Sequence, residues 1–340
     1  MAGIQGSLLS CREEDDSPGL VRTVTDMRYI SQMREGDRIT DIYLCKQKQT
    51  LRSKSGKNYF SMILQDRTGI MDAKIWDLSN GINHFEAMDY IHVEGEVTSY
   101  QGSLQLNVRR VRLAQESEYD PGDYLPRSRY NPDAMYQELQ KYMDSLQNEK
   151  MKKLVKSFLV DDKEMAKAFC GHSAAKSVHH SFTGGLLEHT LAVTRLCNFY
   201  CKQYPILNRD LLLTAAMLHD IGKLKELSAF PENDYTDEGQ LLGHIVIGAE
   251  MVAERIRQIP GFPRKTAMEL RHCILAHHGE LEFGSPKKPA IIEAAALNYA
   301  DNTDAKLETL RELIENNHDE GEWMGYNRMF ETNFKKTSPM

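Results

Sequence analysis

The sequence predicts a multidomain chain of α and β structure, a five-stranded β-barrel followed by an all-α helical bundle. Two observations carry this. Through residue 115, apolar and polar residues alternate in short runs. From residue 133 onward, the apolar residues recur at i, i+3 and i+4. Between the two, ESEYDPGDYLPRSRYNP (residues 116–132) is polar and rich in Pro and Gly, and reads as a linker. With 340 residues, 41% of them hydrophobic, the chain can bury a core in each part. Residues 1–20 read as a flexible polar tail and residues 321–340 as a C-terminal tail. No run approaches 18 apolar residues, so no membrane partner is expected. The six cysteines include no Cys-x-x-Cys pair, which fits a cytoplasmic protein better than a disulfide or structural-zinc framework.

In the first part, expected at 21–115, strands are predicted at 39–49, 58–65, 70–76, 90–99 and 103–112, with turns at 55–56, 66–69 and 101–102. A short helix is expected at 78–87. Five strands with a helix in that gap is the order of an OB-fold barrel, a frequent single-strand-binding architecture. If Phe60, Met62 and Leu64 point inward, Tyr59 points outward. Met71, Ala73 and Ile75 inward leave Lys74 and Trp76 outward, and Tyr43 joins them if Ile42 and Leu44 are core. Tyr43, Tyr59, Lys74 and Trp76 are therefore the expected stacking face, although such aromatics also pack under loops. The net charge of −7 speaks against a nucleic-acid partner, but residues 21–115 carry 14 Lys/Arg against 11 Asp/Glu. Lys54 and Lys57 belong to an acid-free basic stretch over 46–57 and are candidate phosphate contacts.

In the second part, expected at 133–320, helices are predicted at 186–204, 209–220, 239–258, 264–278 and 290–316. Ionisable residues stand in them where apolar ones belong. His189 shares a stripe with Leu186 and Val193, His244 with Leu241 and Met251, and Asp301 lies below Ala294 and Leu297. His219-Asp220 closes the apolar TAAMLHD, and His277-His278 closes CILAHH. One buried histidine is commonly just a satisfied core residue. Five helices each contributing His or Asp point to a metal centre, because an unpaired buried carboxylate costs several kcal/mol. Imidazole and carboxylate donors without thiolate suit Mn, Fe, Co or Zn. His189, His219, Asp220, His244, His277 and Asp301 suit two divalent ions, manganese foremost, with Asp220 as the bridge.

His189, His219-Asp220 and Asp301 resemble the defining series of the HD-domain phosphohydrolases, and His244 and His277 the extra histidines of two-metal members. HHSFTGGLLEHT (179–190), LLLTAAMLHDIGK (211–223), LLGHIVIG (241–248), LAHHGELEFGSP (275–286) and ALNYADNTDAK (296–306) narrow this further. With the OB-like part they resemble the YhaM-type 3′–5′ exoribonucleases over most of residues 21–330. The resemblance implies hydrolysis of single-stranded RNA to nucleoside 5′-monophosphates. Single-stranded DNA would serve too unless the pocket reads the 2′-hydroxyl.

In that frame Asp220 anchors the catalytic centre and Lys223 contacts the phosphate, unless it is only an exposed helix-end lysine. His180 and His278 bind phosphate or protonate the leaving oxygen, unless they orient neighbours or lie on the surface. Gly184-Gly185 lets the chain approach substrate or simply starts a helix. Trp323, Tyr326, Phe330 and Phe334 dock on the body, join subunits of a homo-oligomer, or stay loose. The rival functions are a phosphodiesterase or nucleotidase for small nucleotides, and a strand-binding adaptor with an inactive hydrolase domain.

Overall fold

The computed structural model describes residues 27–338 except 55, 80, 101–102, 126, 177–179, 316–320 and 328–329. The expected N-terminal tail and the turn positions 55, 101 and 102 lie outside the described residues. The chain divides into two compact units, one built on the barrel and one on the helices, with the change at Tyr130.

The barrel is closed in the order β1-β2-β3-β5-β4, from β1 (Arg38–Arg52), β2 (Asn58–Asp66), β3 (Gly69–Ile75), β4 (Tyr90–Tyr100) and β5 (Ser103–Leu113). A register shift between Cys45 and Gln47 bends β1, whose first half pairs with β4 and second half with β2. Met62, Leu64, Met71, Ala73, Ile75, Ile91, Val93 and Leu106 fill the interior as the alternation predicts.

Three expectations are corrected. Tyr43 is fully buried in the barrel core, its hydroxyl donating to the Arg28 carbonyl at 2.6 Å, so it belongs to no stacking face. The phase of β1 was unreadable because Ile42, Tyr43, Leu44 and Cys45 are all buried. Ile42 and Leu44 lie outside the barrel wall, beneath Tyr124, with Tyr90 and Tyr119 packed alongside. The segment expected as a linker is therefore packed through residue 125, and Tyr90 stacks on Tyr119 with ring centroids 4.1 Å apart. Among the described residues of 78–87 there is no helix. Leu78, Ile82 and Phe85 share helical spacing, but Ile82 bridges to Val111 and Phe85 plugs the barrel.

The helical unit begins with α1 (Pro132–Asp144), α2 (Glu149–Leu159) and α3 (Lys163–Gly171). Each is capped by the side chain before it, Asn131, Asn148 and Asp162 respectively. The helices that carry the site are α4 (Gly185–Gln203), α5 (Arg209–Leu218), α6 (Lys223–Glu226), α7 (Asp237–Arg257), α8 (Arg264–Leu275) and α9 (Ile292–Glu315). Leu187, Leu212, Leu218, Val252, Ile274 and Leu297 lie in one continuous core among them. Burial of each such side chain stabilises by roughly 1.5–3 kcal/mol. Gly243, at φ +72°, interrupts α7 one residue before His244. The C-terminal segment forms an unforeseen hairpin of β6 (Trp323–Asn327) and β7 (Thr332–Lys335), with Trp323 and Tyr326 exposed. Among the described residues no helix is long and apolar enough to cross a membrane.

Candidate metal centre and strand-binding face

The six expected ligands converge. His189 Nε2 lies 3.2 Å from Asp301 Oδ1, 3.2 Å from His219 Nε2 and 3.5 Å from Asp220 Oδ2. His219 Nε2 is 3.4 Å from Asp220 Oδ2. From the other side, His244 Nε2 and His277 Nε2 approach Asp220 Oδ1 at 3.4 and 3.6 Å. Asp220 thus faces a histidine pair with each of its oxygens.

The remote ring nitrogens explain how these rings are aimed. His219 and His277 each follow the end of a helix, where carbonyls have lost their helical partners. His219 Nδ1 donates to Ala216 O at 2.8 Å, and His277 Nδ1 to Ile274 O at 2.7 Å, each three residues back. His244 Nδ1 donates to Glu226 Oε1 at 2.9 Å, and His189 Nδ1 to Asp304 Oδ2 at 2.7 Å. Carbonyl and carboxylate oxygens only accept, so each Nδ1 carries a proton and each ring turns its Nε2 to the centre.

That arrangement leaves Asp220 Oδ1, His244 Nε2 and His277 Nε2 buried with no hydrogen-bond partner, while Asp220 Oδ2 has only the Lys223 ammonium. Buried polar atoms are seldom left so, and three around one point fit a divalent cation. His189, His219 and Asp301 form one compact donor group, and His219, Asp220 and His277 another. Charges agree with a centre that gathers cations. Burial opposes ionisation of Asp220, but the Lys223 ammonium and His219 outweigh it and hold its carboxyl well below the usual range. Burial likewise opposes a charge on His189, yet Asp301 and Asp304 hold its pKa up at about 10, so its Nε2 carries a proton toward Asp301 that a cation bound there would displace.

Lys223 Nζ stands 2.9 Å from Asp220 Oδ2, with its side chain mostly buried. His278 lies edge-on to His277, ring centroids 4.4 Å apart, and its Nδ1 donates to Phe283 O at 2.8 Å. Burial and neighbouring His277 push its pKa down to about 4, so at neutral pH its Nε2 accepts rather than donates a proton. His180 is buried in a left-handed conformation, φ +59°, with Nε2 3.1 Å from Asp304 Oδ2. It approaches the centre through Asp304 and the His189 ring. Gly185 serves this turn rather than a substrate, because a Cβ there would fall 2.0 Å from the His180 carbonyl.

On the barrel, Tyr59 and Trp76 stack with centroids 4.5 Å apart, and Trp76 is 51% exposed. Trp76 Nε1 donates to Asn107 Oδ1 at 3.1 Å, and Lys74 Nζ to Ser61 Oγ at 2.7 Å. Trp76 also lines an open groove of ≈ 520 Å³ with Asn107, Arg109 and Arg110. Lys54 and Lys57 are exposed at the β1–β2 turn.

Comparison with known proteins agrees with both halves. Residues 186–306 match the HD domain, and residues 35–114 match an OB-fold nucleic acid binding domain. The 3′-5′ exoribonuclease YhaM of Geobacillus sp. (strain WCH70) is 34% identical over 278 residues, 81% of this chain and 85% of that protein. The chain belongs to the YhaM family. Among solved structures, the second OB-fold domain of replication protein A from Methanococcus maripaludis is 19% identical. It covers 26% of this chain and 95% of its own, with a TM-score of 0.22. An OB domain from Thermoplasma acidophilum is 14% identical over 26% of this chain and 87% of its own, with a TM-score of 0.22. Family and HD domain together support hydrolase chemistry for this YhaM-family chain.

Two acids of this YhaM-family site escaped the sequence reading. Asp304 lies one turn after Asp301 on α9, a spacing that puts both on one face and was a usable signal. Glu226 sits in the unremarkable string GKLKEL, and only the fold of α7 over it reveals its partner.

Proposed function

We propose that this chain is a metal-dependent 3′–5′ exoribonuclease that shortens single-stranded RNA to nucleoside 5′-monophosphates, with single-stranded DNA as a second substrate. The observation that carries the reading is the convergence of four Nε2 atoms on the carboxylates of Asp220 and Asp301, with three of the donor atoms orphaned. Direction and RNA preference are taken from the Geobacillus relative's name. In this reading His189, His219, Asp220 and Asp301 hold one divalent ion, and Asp220, His244 and His277 a second, with manganese foremost. Bound there, the ions would polarise the scissile phosphate and lower the pKa of a nearby water.

The chain's own residues do the rest. Lys223 balances the Asp220 carboxylate and offers its ammonium to the phosphate oxygens. His278, neutral at its Nε2, accepts a proton or hydrogen bond from an approaching hydroxyl. Asp304 fixes the His189 ring, and His180 steadies Asp304. Tyr59 and Trp76 give bases a stacking surface, with Lys74, Lys54 and Lys57 along the backbone path. Free Cys45, Cys170, Cys197, Cys201 and Cys273 suit action in the reducing cytoplasm. The test is 5′-labelled single-stranded RNA incubated with the full chain and Mn²⁺, beside an Asp220→Ala control. A ladder shortening from the 3′ end, absent in the variant, is expected. Intact RNA together with hydrolysis of small cyclic or mononucleotides would replace this reading with the small-nucleotide one.

A further inference from the structure

The His244 side of the centre is built differently from the His189 side. His219 and His277 are aimed by carbonyls of their own helices, and His189 by an acid on α9. His244 is aimed by Glu226, which lies only six residues after Asp220 and is itself buried. Glu226 Oε1 accepts two bonds from the same residue, the His244 backbone N–H at 2.9 Å and the ring Nδ1–H at 2.9 Å. The first of these bonds exists because Gly243 at φ +72° takes the His244 N–H out of the helical ladder, leaving a donor that needs an acceptor. The second fixes the ring's tautomer and turns Nε2 onto Asp220 Oδ1.

Backbone contacts hold the acceptor in place. A Cβ on Gly222 would lie 2.1 Å from His244 O, and one on Gly239 2.2 Å from Glu226 O, so both segments touch α7 with no side chain between. Gly243 needs its left-handed conformation, and Gly222 and Gly239 need their missing side chains, for one carboxylate oxygen to meet both donors of His244.

We infer that Glu226 is the positioning residue that sets the cation affinity of the His244–His277 half of the centre, independently of the His189–His219–Asp301 half. This rests on the two-cation reading proposed above. Without the carboxylate, His244 loses the anchor of its backbone and of its ring together. The ring then swings or changes tautomer, and Nε2 no longer meets Asp220 reliably. Carboxylates that accept from the remote nitrogen of a ligating histidine typically contribute a factor of about 10–100 to metal affinity.

The experiment is calorimetric titration of the full-length protein with Mn²⁺, comparing wild type, Glu226→Ala and Glu226→Gln, with a melting curve for each. Wild type should bind two cations per chain. Glu226→Ala should weaken one of them about 10–100-fold and leave the other unchanged. Glu226→Gln keeps an oxygen acceptor at the same place without the charge, so it should fold like wild type and fall between the two. If Glu226→Ala does not fold, the glutamine variant alone carries the test, through selective weakening of one cation. Lowered melting temperatures with both affinities unchanged, or equal weakening of both cations, would overturn the inference and leave the two-cation reading standing. A single cation per wild-type chain would overturn that reading and this inference with it.

Discussion

On the barrel, three of the groups proposed to meet a nucleic acid strand already have partners. Trp76 donates to Asn107, Lys74 donates to Ser61, and Tyr59 and Trp76 stack on each other. In the helical unit the opposite holds, with Asp220 Oδ1 and the Nε2 atoms of His244 and His277 buried and unpartnered. The difference separates two kinds of binding. A satisfied surface with exposed rings binds through faces and charge, tolerantly and additively. An unsatisfied buried set demands a ligand, and losing one member costs far more than an ordinary contact.

If the contrast is real, substitutions should divide along it, beginning with the centre. Asp220→Ala should abolish RNA hydrolysis in a labelled-substrate assay, a loss of about 10³-fold or more, since it removes the group both halves share. Retention of even a tenth of the activity would show that Asp220 is no bridge. Lys223→Met should lower kcat about 10²-fold while changing KM little, if its ammonium acts on charge developing at the phosphate. A change confined to KM would make Lys223 only a binding group.

The barrel should respond more mildly. Trp76→Ala should raise KM for oligonucleotides about tenfold, given roughly 1–3 kcal/mol per stacked base, and leave hydrolysis of a small phosphodiester untouched. Equal losses on both substrates would erase the division of labour between the units. Tyr43→Phe should cost about 1 kcal/mol of stability in denaturant unfolding, by stranding the Arg28 carbonyl, with RNA affinity unchanged. An unfolding curve unchanged from wild type would show that the Tyr43 hydroxyl bond contributes nothing to the fold. The smallest effect is expected of Lys57→Ala, which should flatten the salt dependence of RNA binding by about one contact without sequence preference.

Strand positions were legible because alternation survives wherever one face of a strand meets the core and the other meets solvent. β1 broke that condition: residues 42–45 are buried on both faces, so the phase of Tyr43 could not be read. Phe85 misled differently, since an apolar spacing of three and four arises equally in a helix and in a loop that plugs a barrel. In the helical unit, His189, His219, Asp220, His244, His277 and Asp301 stood out because each violates an apolar stripe. Glu226 violated nothing. Its place depends on the interruption of α7 at Gly243 and on backbone contacts between segments distant in the chain. Likewise Trp323 and Tyr326 gave no strand alternation by which the β6–β7 hairpin could be foreseen.

The central claim, that the orphaned donors around Asp220 are a cation centre, is most directly tested by equilibrium dialysis of the purified full chain against Mn²⁺. Wild type should retain the ion in stoichiometric amounts after exchange into metal-free buffer, and Asp220→Ala should retain none above background. Wild-type protein that degrades RNA under those conditions while holding no divalent ion would contradict it.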